Sequence, residues 1–321
     1  MSFFLPRRIS AKAPPIKIQG IKTKLVPWIA DAVRWHGKGR WVEPFMGSCA
    51  VALNIAPPRA LLADTNQHVI DFYAQIQSGV ITPLRVRQYL EAEGAELLRR
   101  GEIHYYDVRE RFNTHGDPLD LLFLNRSCFN GMMRFNKKGG FNVPFCRKPE
   151  RFRPALITKI CNQVAWAQSV IGDNDWVFKC QPWHQTLAEV CADDFVYMDP
   201  PYVGRYADYY NQWSDIDASS LANAIKRLPA GFAYSMWKAN KYRENVHLSE
   251  HFSDFPLETF AHFYHLGASE SLRNEMEEAL VISPGNLVPP GSRLPPPDLK
   301  ETEDAPHDDA PTQNALFADT D

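Results

Sequence analysis

Apolar residues near the start of the chain recur with two different spacings. Leu25–Trp35 and Ala50–Ile55 place them at helical intervals, which predicts two helices. Arg40–Phe45 and Leu61–Ala63 are short apolar runs, the second closed by Asp64, and such runs are typical of buried strands. Helices and strands therefore alternate over this part of the chain.

The same alternation returns in the second half. Trp176–Lys179, Phe195–Met198 and Phe232–Met236 predict three more buried strands, and Leu221–Leu228 predicts a helix between the last two. Strands that alternate with helices predict an α/β fold built on a mainly parallel sheet.

A long segment interrupts this rhythm. Residues 71–153 are mostly helical to about Leu124 and then become polar and rich in turn residues. We predict that they form an inserted domain within a main domain made of residues 16–70 and 154–283.

The two ends differ from the rest. Residues 1–15 are predicted to be a flexible basic arm. Residues 284–321 hold eight prolines and eight acids against two bases. Such a composition cannot bury enough apolar surface to offset its ordering entropy, so we predict a disordered acidic tail.

Composition limits the class of protein. A chain of 321 residues that is 45% hydrophobic is not a wholly disordered or disulfide-stapled protein. No apolar run approaches the roughly 18 residues of a membrane span, and no secretion signal is visible, so we expect a cytoplasmic protein with free cysteines. Its six cysteines form no C-x-x-C pair and have no neighbouring histidine cluster, so no metal site is predicted.

The net charge of −3 first argues against a nucleic-acid partner, but its distribution reverses that conclusion. Without residues 284–321 the chain carries 33 bases and 30 acids, and residues 99–153 alone carry twelve bases and six acids. Phe129, Phe135 and Phe141 lie among these bases. A basic segment with interleaved aromatic residues indicates nucleic-acid binding.

The most informative motif is Asp199-Pro200-Pro201-Tyr202, directly after the predicted strand Phe195–Met198. Ligands bind at the carboxyl ends of parallel strands. The Asp199 carboxylate and the Pro200 carbonyl can accept the two hydrogens of an amino group, and Tyr202 can stack on a planar ring. The structural alternative is a proline-rich turn.

A second motif, Glu43–Ala50 (EPFMGSCA), joins a predicted strand to a predicted helix. Its small residues would let the backbone approach a ligand near the helix N-terminus. Asp64, at the end of the next strand, could accept bonds from two ribose hydroxyls or instead cap the following helix. Phe178 and Gln181, near the end of the strand before D-P-P-Y, either flank a cofactor ring or belong to core and loop.

These motifs in this order resemble the Dam-like (D12 class) DNA adenine-N6 methyltransferases, over nearly the whole chain to about residue 283. D-P-P-Y is similar to the family's catalytic motif, and its position after the cofactor loop and the target-reading insert is that of the family's α class. The segments that carry the resemblance are Ile16–Ile29, Glu43–Ala50, Leu61–Asn66, Asn125–Phe145, Asp199–Tyr202 and Phe263–Ile282.

The resemblance implies a Rossmann-like sheet that binds S-adenosylmethionine, with an inserted target-recognition domain that bears a β-hairpin. The target adenine would be flipped out of the duplex and methylated at N6. The catalytic residues would be Asp199, Pro200 and Tyr202. The cofactor would contact Lys22, Glu43, Phe45, Gly47, Ser48, Asp64, Phe178 and Asp199.

The resemblance also implies double-stranded DNA as a partner, and it leaves open a cognate restriction endonuclease or an orphan or phage role. Lys137-Lys138-Gly139-Gly140 would be the hairpin tip, and Arg134 would read guanine. Asn130 could read a base edge or occupy a turn before Gly131. The predicted DNA-binding residues are Arg126, Phe129, Asn130, Met132, Arg134, Lys137, Lys138, Pro144 and Arg147.

Some positions depart from the family pattern. Cys49 stands where the family usually has glycine, so its side chain would either crowd the cofactor or sit on a backbone with negative φ. Ile18 and Ile21 replace an aromatic residue and a glycine. Two alternatives stay open: a cytosine-N4 methyltransferase, which more often carries serine in place of Asp199, and a relative that binds DNA without methylating it.

Overall fold

The computed structural model describes residues 3–202, 213–240, 243–263 and 275–293. Within these ranges eight strands form one sheet in the order β3-β2-β1-β4-β5-β8-β7, with β6 paired to β5. The strands are β1 (Trp41–Glu43), β2 (Arg59–Asp64), β3 (Asp175–Cys180), β4 (Phe195–Met198), β5 (Gly231–Asn240), β6 (Arg243–Glu244), β7 (Leu257–Phe263) and β8 (Glu275–Ile282).

The neighbours from β3 to β5 are parallel, whereas β8 runs antiparallel to both β5 and β7. This is the mainly parallel α/β sheet predicted from the sequence, and it is consistent with a methyltransferase fold. The helices are α1 (Val26–Ala32), α2 (Ala50–Ile55), α3 (Gln67–Gln77), α4 (Pro83–Arg100), α5 (Glu102–His115), α6 (Pro118–Ser127), α7 (Pro154–Gly172), α8 (Trp183–Ala188), α9 (Asp215–Ile225) and α10 (Val246–Phe252).

Successive side chains of the strands pack alternately into two apolar cores, one on each face of the sheet. Trp41 and Tyr197 pack into a core with helices α1 to α7, whereas Val42 and Val196 pack into a second core with α8, α9 and α10. Because the side-chain period of a strand is two, the short apolar runs β1 and β4 can fill both faces of the sheet. Helices therefore cover both faces of the sheet, and its carboxyl edge is the part that stays accessible to a ligand.

The strand order reverses at β1. Its neighbours are β2 on one side and β4 on the other, so the chain leaves β1 and β4 in opposite directions. A crevice opens at such a switch point outside the carboxyl ends of the two strands. The loop after Glu43 and the motif that begins at Asp199 both lie at this point.

Two predicted helices have different bounds in the structure. The helix predicted over Leu25–Trp35 ends at Ala32, because Val33 and Trp35 form bridges with Leu287 and Leu5. The helix predicted over Leu221–Leu228 begins earlier, at Asp215, where Ser214 and Asp217 form a reciprocal capping box. In each case a contact outside the apolar pattern sets the helix end.

The described part of the N-terminal arm is packed rather than loose. Leu5 is fully buried and bridges Trp35, and the Lys12 backbone N–H donates to Asn54 Oδ1 over 2.7 Å. The prediction of a flexible arm missed these contacts, because the basic residues of the segment alternate with apolar ones that the core accepts.

The start of the predicted disordered tail is also packed. The backbone of Arg34 donates to Asn286 O over 2.6 Å, Val288 is buried, and Arg293 pairs with Glu258 at 2.8 Å. Residues 284–293 therefore extend the folded body. The remainder of the predicted tail, residues 294–321, lies outside the described residues.

The predicted insert shares its core with the main domain. Its predicted boundary between residues 70 and 71 falls inside α3, and Leu90, Tyr105 and Phe123 belong to the same apolar cluster as Trp41. Where the sequence predicted a hairpin, the structure shows isolated bridges, Phe135 with Phe141 and Cys128 with Phe145. No helix among the described residues is both long and apolar enough to cross a bilayer.

Candidate active site and DNA-contacting segment

Two carboxylates meet at the switch point of the sheet. β1 pairs with β4 through Trp41 and Phe195, which brings the end of β1 beside the end of β4. Glu43 is 2% exposed, and its Oε1 accepts a bond from Trp41 Nε1 over 2.7 Å. Asp199 follows β4 directly and its side chain is 19% exposed.

Both carboxylates are held away from water. Burial, together with the nearby Asp199 carboxylate, raises the pKa of Glu43 to about 8, while the bond from Trp41 acts in the opposite direction. Burial also raises the pKa of Asp199 to about 6, which the Lys22 ammonium partly counteracts. A carboxylate that stays ionised at neutral pH in a buried setting is a strong hydrogen-bond acceptor.

Lys22 lies against this pair just before the short helix Thr23–Leu25. Its Nζ is 3.0 Å from Asp199 Oδ1, 3.2 Å from Gly20 O and 4.9 Å from the centre of the Tyr202 ring. The side chain is only 4% exposed. The Lys22 ammonium therefore contacts the Asp199 carboxylate and the face of the Tyr202 ring at the same time. These two groups could in the same way bind an amino group and the planar ring that carries it.

A residue outside the predicted set completes this cluster. Glu278, in the middle of β8, is fully buried, and its Oε2 accepts the hydroxyl proton of Tyr202 over 2.7 Å. In the sequence, the feature that could have indicated Glu278 is an acidic residue next to the apolar end of a strand. Its partner could not be inferred there, because 76 residues separate the two positions.

The loop after β1 is tied to the end of β2. Gly47 N donates to Asp64 Oδ2 over 2.8 Å, and Asn66 N donates to Asp64 Oδ1 over 2.9 Å. Asn66, not Asp64, caps α3, since its side chain accepts from His68 N and Val69 N. The helix-cap alternative for Asp64 is therefore wrong, and burial raises the pKa of its carboxyl group.

Small residues keep this loop open. Gly47 has a φ of 51°, and a Cβ placed there would meet no atom within 4 Å. The Ser48 carbonyl accepts a bond from Tyr73 Oη over 2.6 Å, which fixes the turn before α2. The carboxyl groups of Glu43 and Asp64 and the open glycine turn therefore lie together at the carboxyl edge of the sheet, where they can accept hydrogen bonds from a ligand.

Cys49 has a φ of 59°, so the alternative of a negative φ at this position is wrong. The left-handed region favours glycine, and a side chain there costs about 1 kcal/mol. The Cys49 side chain is fully buried and belongs to the core beneath α2. The sulfur therefore packs within the protein, and the strain stays in the backbone.

The two predicted cofactor aromatics occupy opposite sides of the sheet. Phe45 packs edge-on against Trp213 with ring centres 5.6 Å apart, whereas Phe178 stacks on Tyr73 at 6.0 Å. A cavity next to the motif is lined mainly by aromatic and proline residues. Its lining residues are Pro200, Pro201, Tyr202, Trp213, Ala218, Tyr234, Met236, Trp237, Asn245 and His247.

The predicted DNA-contacting side chains all belong to residues 125–147, here named the reading segment. Phe129 is 51% exposed and Met132 is half-buried. Asn130 has a φ of 54°, so it occupies the turn before Gly131, and its side chain also faces solvent. The other exposed members of the predicted set are Lys137, Lys138, Pro144 and Arg147.

Arg126 differs from the rest of the set, because the structure places it in the interior. It is 3% exposed, and its guanidinium donates to Pro15 O and to Gln163 Oε1. Burial lowers its pKa to about 10. The prediction of a DNA contact is corrected accordingly: Arg126 ties α6 to the N-terminal segment and to α7.

Arg134 lies on the side of the tight turn over residues 136–140. Its Nε donates to Asn142 Oδ1 over 2.9 Å, so the guanidinium plane is oriented before any ligand arrives. Asn136 Oδ1 accepts from the N–H groups of Lys138 and Gly140, which closes the turn. The turn therefore presents Lys137 and Lys138 to solvent.

The chain is similar to known DNA methyltransferases over most of its length. Residues 19–269 match the D12 class N6 adenine-specific DNA methyltransferase family. The retron Ec67 DNA adenine methylase of Escherichia coli is 31% identical over 196 residues, which are 58% of this chain and 64% of that protein. The DNA adenine methylase of Serratia marcescens is 32% identical over 216 residues, 62% of this chain and 74% of that protein. With most of its length matched, including both strand-end motifs, this chain belongs to the D12 class N6 adenine-specific DNA methyltransferase family.

Proposed function

We propose that this protein flips an adenine out of double-stranded DNA and transfers a methyl group from S-adenosylmethionine to its N6 at a specific site. The observation that carries the proposal is the position of Lys22 Nζ, 3.0 Å from Asp199 and 4.9 Å from the Tyr202 ring centre. It supports a site that can engage an amino group and the face of its ring together.

The chemistry requires the N6 lone pair to become available, because it is delocalised into the adenine ring. Asp199 and the Pro200 carbonyl accept the two N6 hydrogens, which favours a pyramidal nitrogen with a localised lone pair. Asp199 is the stronger acceptor when ionised, and with a pKa of about 6 it is mostly ionised at neutral pH.

The extruded base needs a platform, since it loses its stacking in the duplex. Tyr202 supplies one face, at about 1–3 kcal/mol per base–aromatic stack. The aromatic cavity beside it, with Trp213 and Trp237, offers further surface.

The residues at the β1 and β2 ends fit S-adenosylmethionine. Asp64 would accept the ribose hydroxyls, Glu43 and Lys22 would lie at the methionine end, and Gly47 and Ser48 would line the cleft, with Phe45 and Phe178 near it. When bound, this cofactor supplies an electrophilic methyl group on a sulfonium. The chain's own residues hold the acceptor nitrogen and exclude water around it.

The reading segment would bind the duplex. Lys137, Lys138 and Arg147 would contact phosphates, and Arg134, held by Asn142, would read a guanine in the major groove. Phe129, Asn130, Met132 and Pro144 would face bases. The biological setting we propose is DNA modification in the cytoplasm, as part of a restriction–modification pair, in a phage, or as an orphan enzyme.

One experiment tests the proposal directly. The protein is expressed in cells that lack DNA methylation, and modified bases are mapped by single-molecule sequencing. We expect N6-methyladenine at one recurring site. N4-methylcytosine would identify the cytosine-N4 alternative. Unmodified DNA, with duplex binding retained and no calorimetric signal for S-adenosylmethionine, would identify a DNA-binding relative that the Cys49 position has impaired.

A further inference from the structure

The Tyr202 ring is fixed by an acid on the far strand of the site. Its hydroxyl donates to Glu278 Oε2 over 2.7 Å, and Glu278 is fully buried in β8 opposite Trp237 of β5. The residue lies beyond the segment 19–269 that matches the family. A buried carboxylate is expensive to desolvate, so its presence at this position calls for a role.

The bond constrains the ring more than stacking alone would. A tyrosine ring turns about two side-chain bonds, and a charge-assisted bond to a rigid strand holds its outer end. Because β8 sits in the sheet between β5 and β7, Glu278 itself has little freedom to move. The Tyr202 face is thus set before a base arrives.

Glu278 also lies near Asp199, because its partner Tyr202 and the Asp199 carboxylate are both in contact with the Lys22 ammonium. Its carboxylate is among the charges that raise the Asp199 pKa, together with burial and against the effect of Lys22. The ionisable groups among the described residues that face Asp199 come from five parts of the fold. They are Lys22, Glu43 in β1, Tyr197 in β4, Tyr234 in β5 and Glu278 in β8, the last of which accepts the bond from Tyr202.

We propose that Glu278 is a positioning residue of the methyl-transfer site, which orients the Tyr202 ring through its hydroxyl and strengthens Asp199 as a hydrogen-bond acceptor through its negative charge. The inference rests on the proposed function. Glu278 thus has two effects, the bond to Tyr202 and the negative charge near Asp199, and different substitutions remove each of them.

Two variants separate these effects, and a third serves as the control. Glu278→Gln keeps an acceptor for the Tyr202 hydroxyl but removes the charge. Tyr202→Phe removes the bond but keeps both the ring and the charge. Glu277→Gln is the matched control, since Glu277 is the neighbour on the same strand, pairs with Lys238 at 3.1 Å and does not touch the site.

The measurement is the pH profile of kcat/KM and of kcat for methylation of a duplex oligonucleotide, with the thermal midpoint of each variant recorded. In Glu278→Gln the acid limb of the profile should shift to lower pH, because loss of a nearby negative charge lowers the Asp199 pKa. In Tyr202→Phe kcat should fall about tenfold, as expected for loss of a bond to a charged group, while the limb stays in place. In the double variant, which combines Tyr202→Phe with Glu278→Gln, the acid limb should still shift to lower pH. Its kcat should be no lower than that of Tyr202→Phe alone.

A Glu278→Gln profile that superimposes on that of the wild type would overturn the charge effect. Full kcat in Tyr202→Phe would overturn the positioning effect, and this arm remains decisive if Glu278→Gln fails to fold. An inactive wild-type protein would instead contradict the proposed function, so the two failures are distinguishable.

Discussion

The site around Asp199 and the reading segment are both rich in charge, yet they hold it in opposite ways. Lys22, Glu43 and Glu278 are at most 4% exposed, and each is bonded to another group of the site. Lys137 and Lys138, in contrast, extend from a turn into solvent. Buried charges interact strongly at short range, whereas exposed charges act over about a Debye length and are screened by salt.

This difference fits two tasks. Stabilisation of a changing charge distribution needs dipoles and charges that are fixed in advance. Attraction of a polyanion needs many exposed cations whose exact placement matters less. Residues 17–22 connect the two regions, because the Lys17 backbone pairs with Asn125 and Gln19 accepts from Met133 N, a few residues before Lys22 contacts Asp199.

Removal of the central carboxylate should have the largest effect. We expect Asp199→Ala to lower kcat by at least about 10³-fold, because it removes an acceptor for the N6 hydrogens. Binding to duplex DNA, measured by fluorescence anisotropy, should persist. The control is Asp193→Ala, an exposed aspartate just before β4. If Asp199→Ala still produced N6-methyladenine, the buried cluster would not be the catalytic site.

The buried charges should also make stability depend on pH. The Glu43 pKa of about 8 lies above the ordinary 4.5, so the stability that this group contributes is fully present below pH 4.5 and is lost as the pH rises towards 8. Over that range the free energy of unfolding of the wild type should fall relative to Glu43→Gln, by an amount on the order of a few kcal/mol. Urea unfolding at pH 5 and at pH 8 measures this free energy for both proteins. If the difference between the two proteins were the same at both pH values, Glu43 would not lie in a low-dielectric setting.

Arg126 and Arg147, at the two ends of the reading segment, contrast a buried arginine with an exposed one. Arg126→Ala should reduce the free energy of unfolding by about 3 kcal/mol, since Pro15 O and Gln163 lose a buried charged donor. Arg147→Ala, at an exposed position, should change stability by less than about 0.5 kcal/mol. Chemical denaturation measures both. Equal stability of the two variants, with weaker DNA binding by Arg126→Ala, would return Arg126 to the DNA surface.

Within the reading segment, Arg134 and the lysines should behave differently. The free energy of binding to the recognition site differs from that to a site in which its guanine is replaced. Arg134→Ala should reduce this difference by about 1–3 kcal/mol. Joint replacement of Lys137 and Lys138 by alanine should weaken binding to both sites alike and reduce the salt slope by about two. Anisotropy titrations over a salt series measure both effects. A uniform loss of affinity in Arg134→Ala would assign it to phosphate contact.

The smallest effect is expected from the acidic C-terminus. Removal of residues 294–321 deletes eight acids and one base, so non-specific DNA affinity should rise a few-fold at low salt and return to the wild-type value at high salt. Truncation from residue 284 should in addition lower the thermal midpoint, because it removes Val288 from the core and Arg293 from Glu258. Equal affinities across the salt series would show that the acids do not reach the basic surface.

The sequence by itself determined the features that depend on local pattern. The bounds of α2 and β4 coincide with their apolar runs, and the D-P-P-Y motif lies at the strand end where an apolar run gives way to Asp199. The alternation of helices and strands likewise predicts the parallel pairing that joins β1 to β5. These features need only propensity and side-chain period, which a single sequence carries.

Only the tertiary structure decided which charges are buried and what they touch. Arg126 and Pro15 are 111 positions apart, and Tyr202 and Glu278 are 76 apart. No local pattern distinguishes the buried Arg126 from the exposed Lys137, because their difference arises when distant segments meet. The same holds for residues 3–15 and 284–293, whose composition predicted looseness and whose few apolar side chains found room in a core built by the rest of the chain.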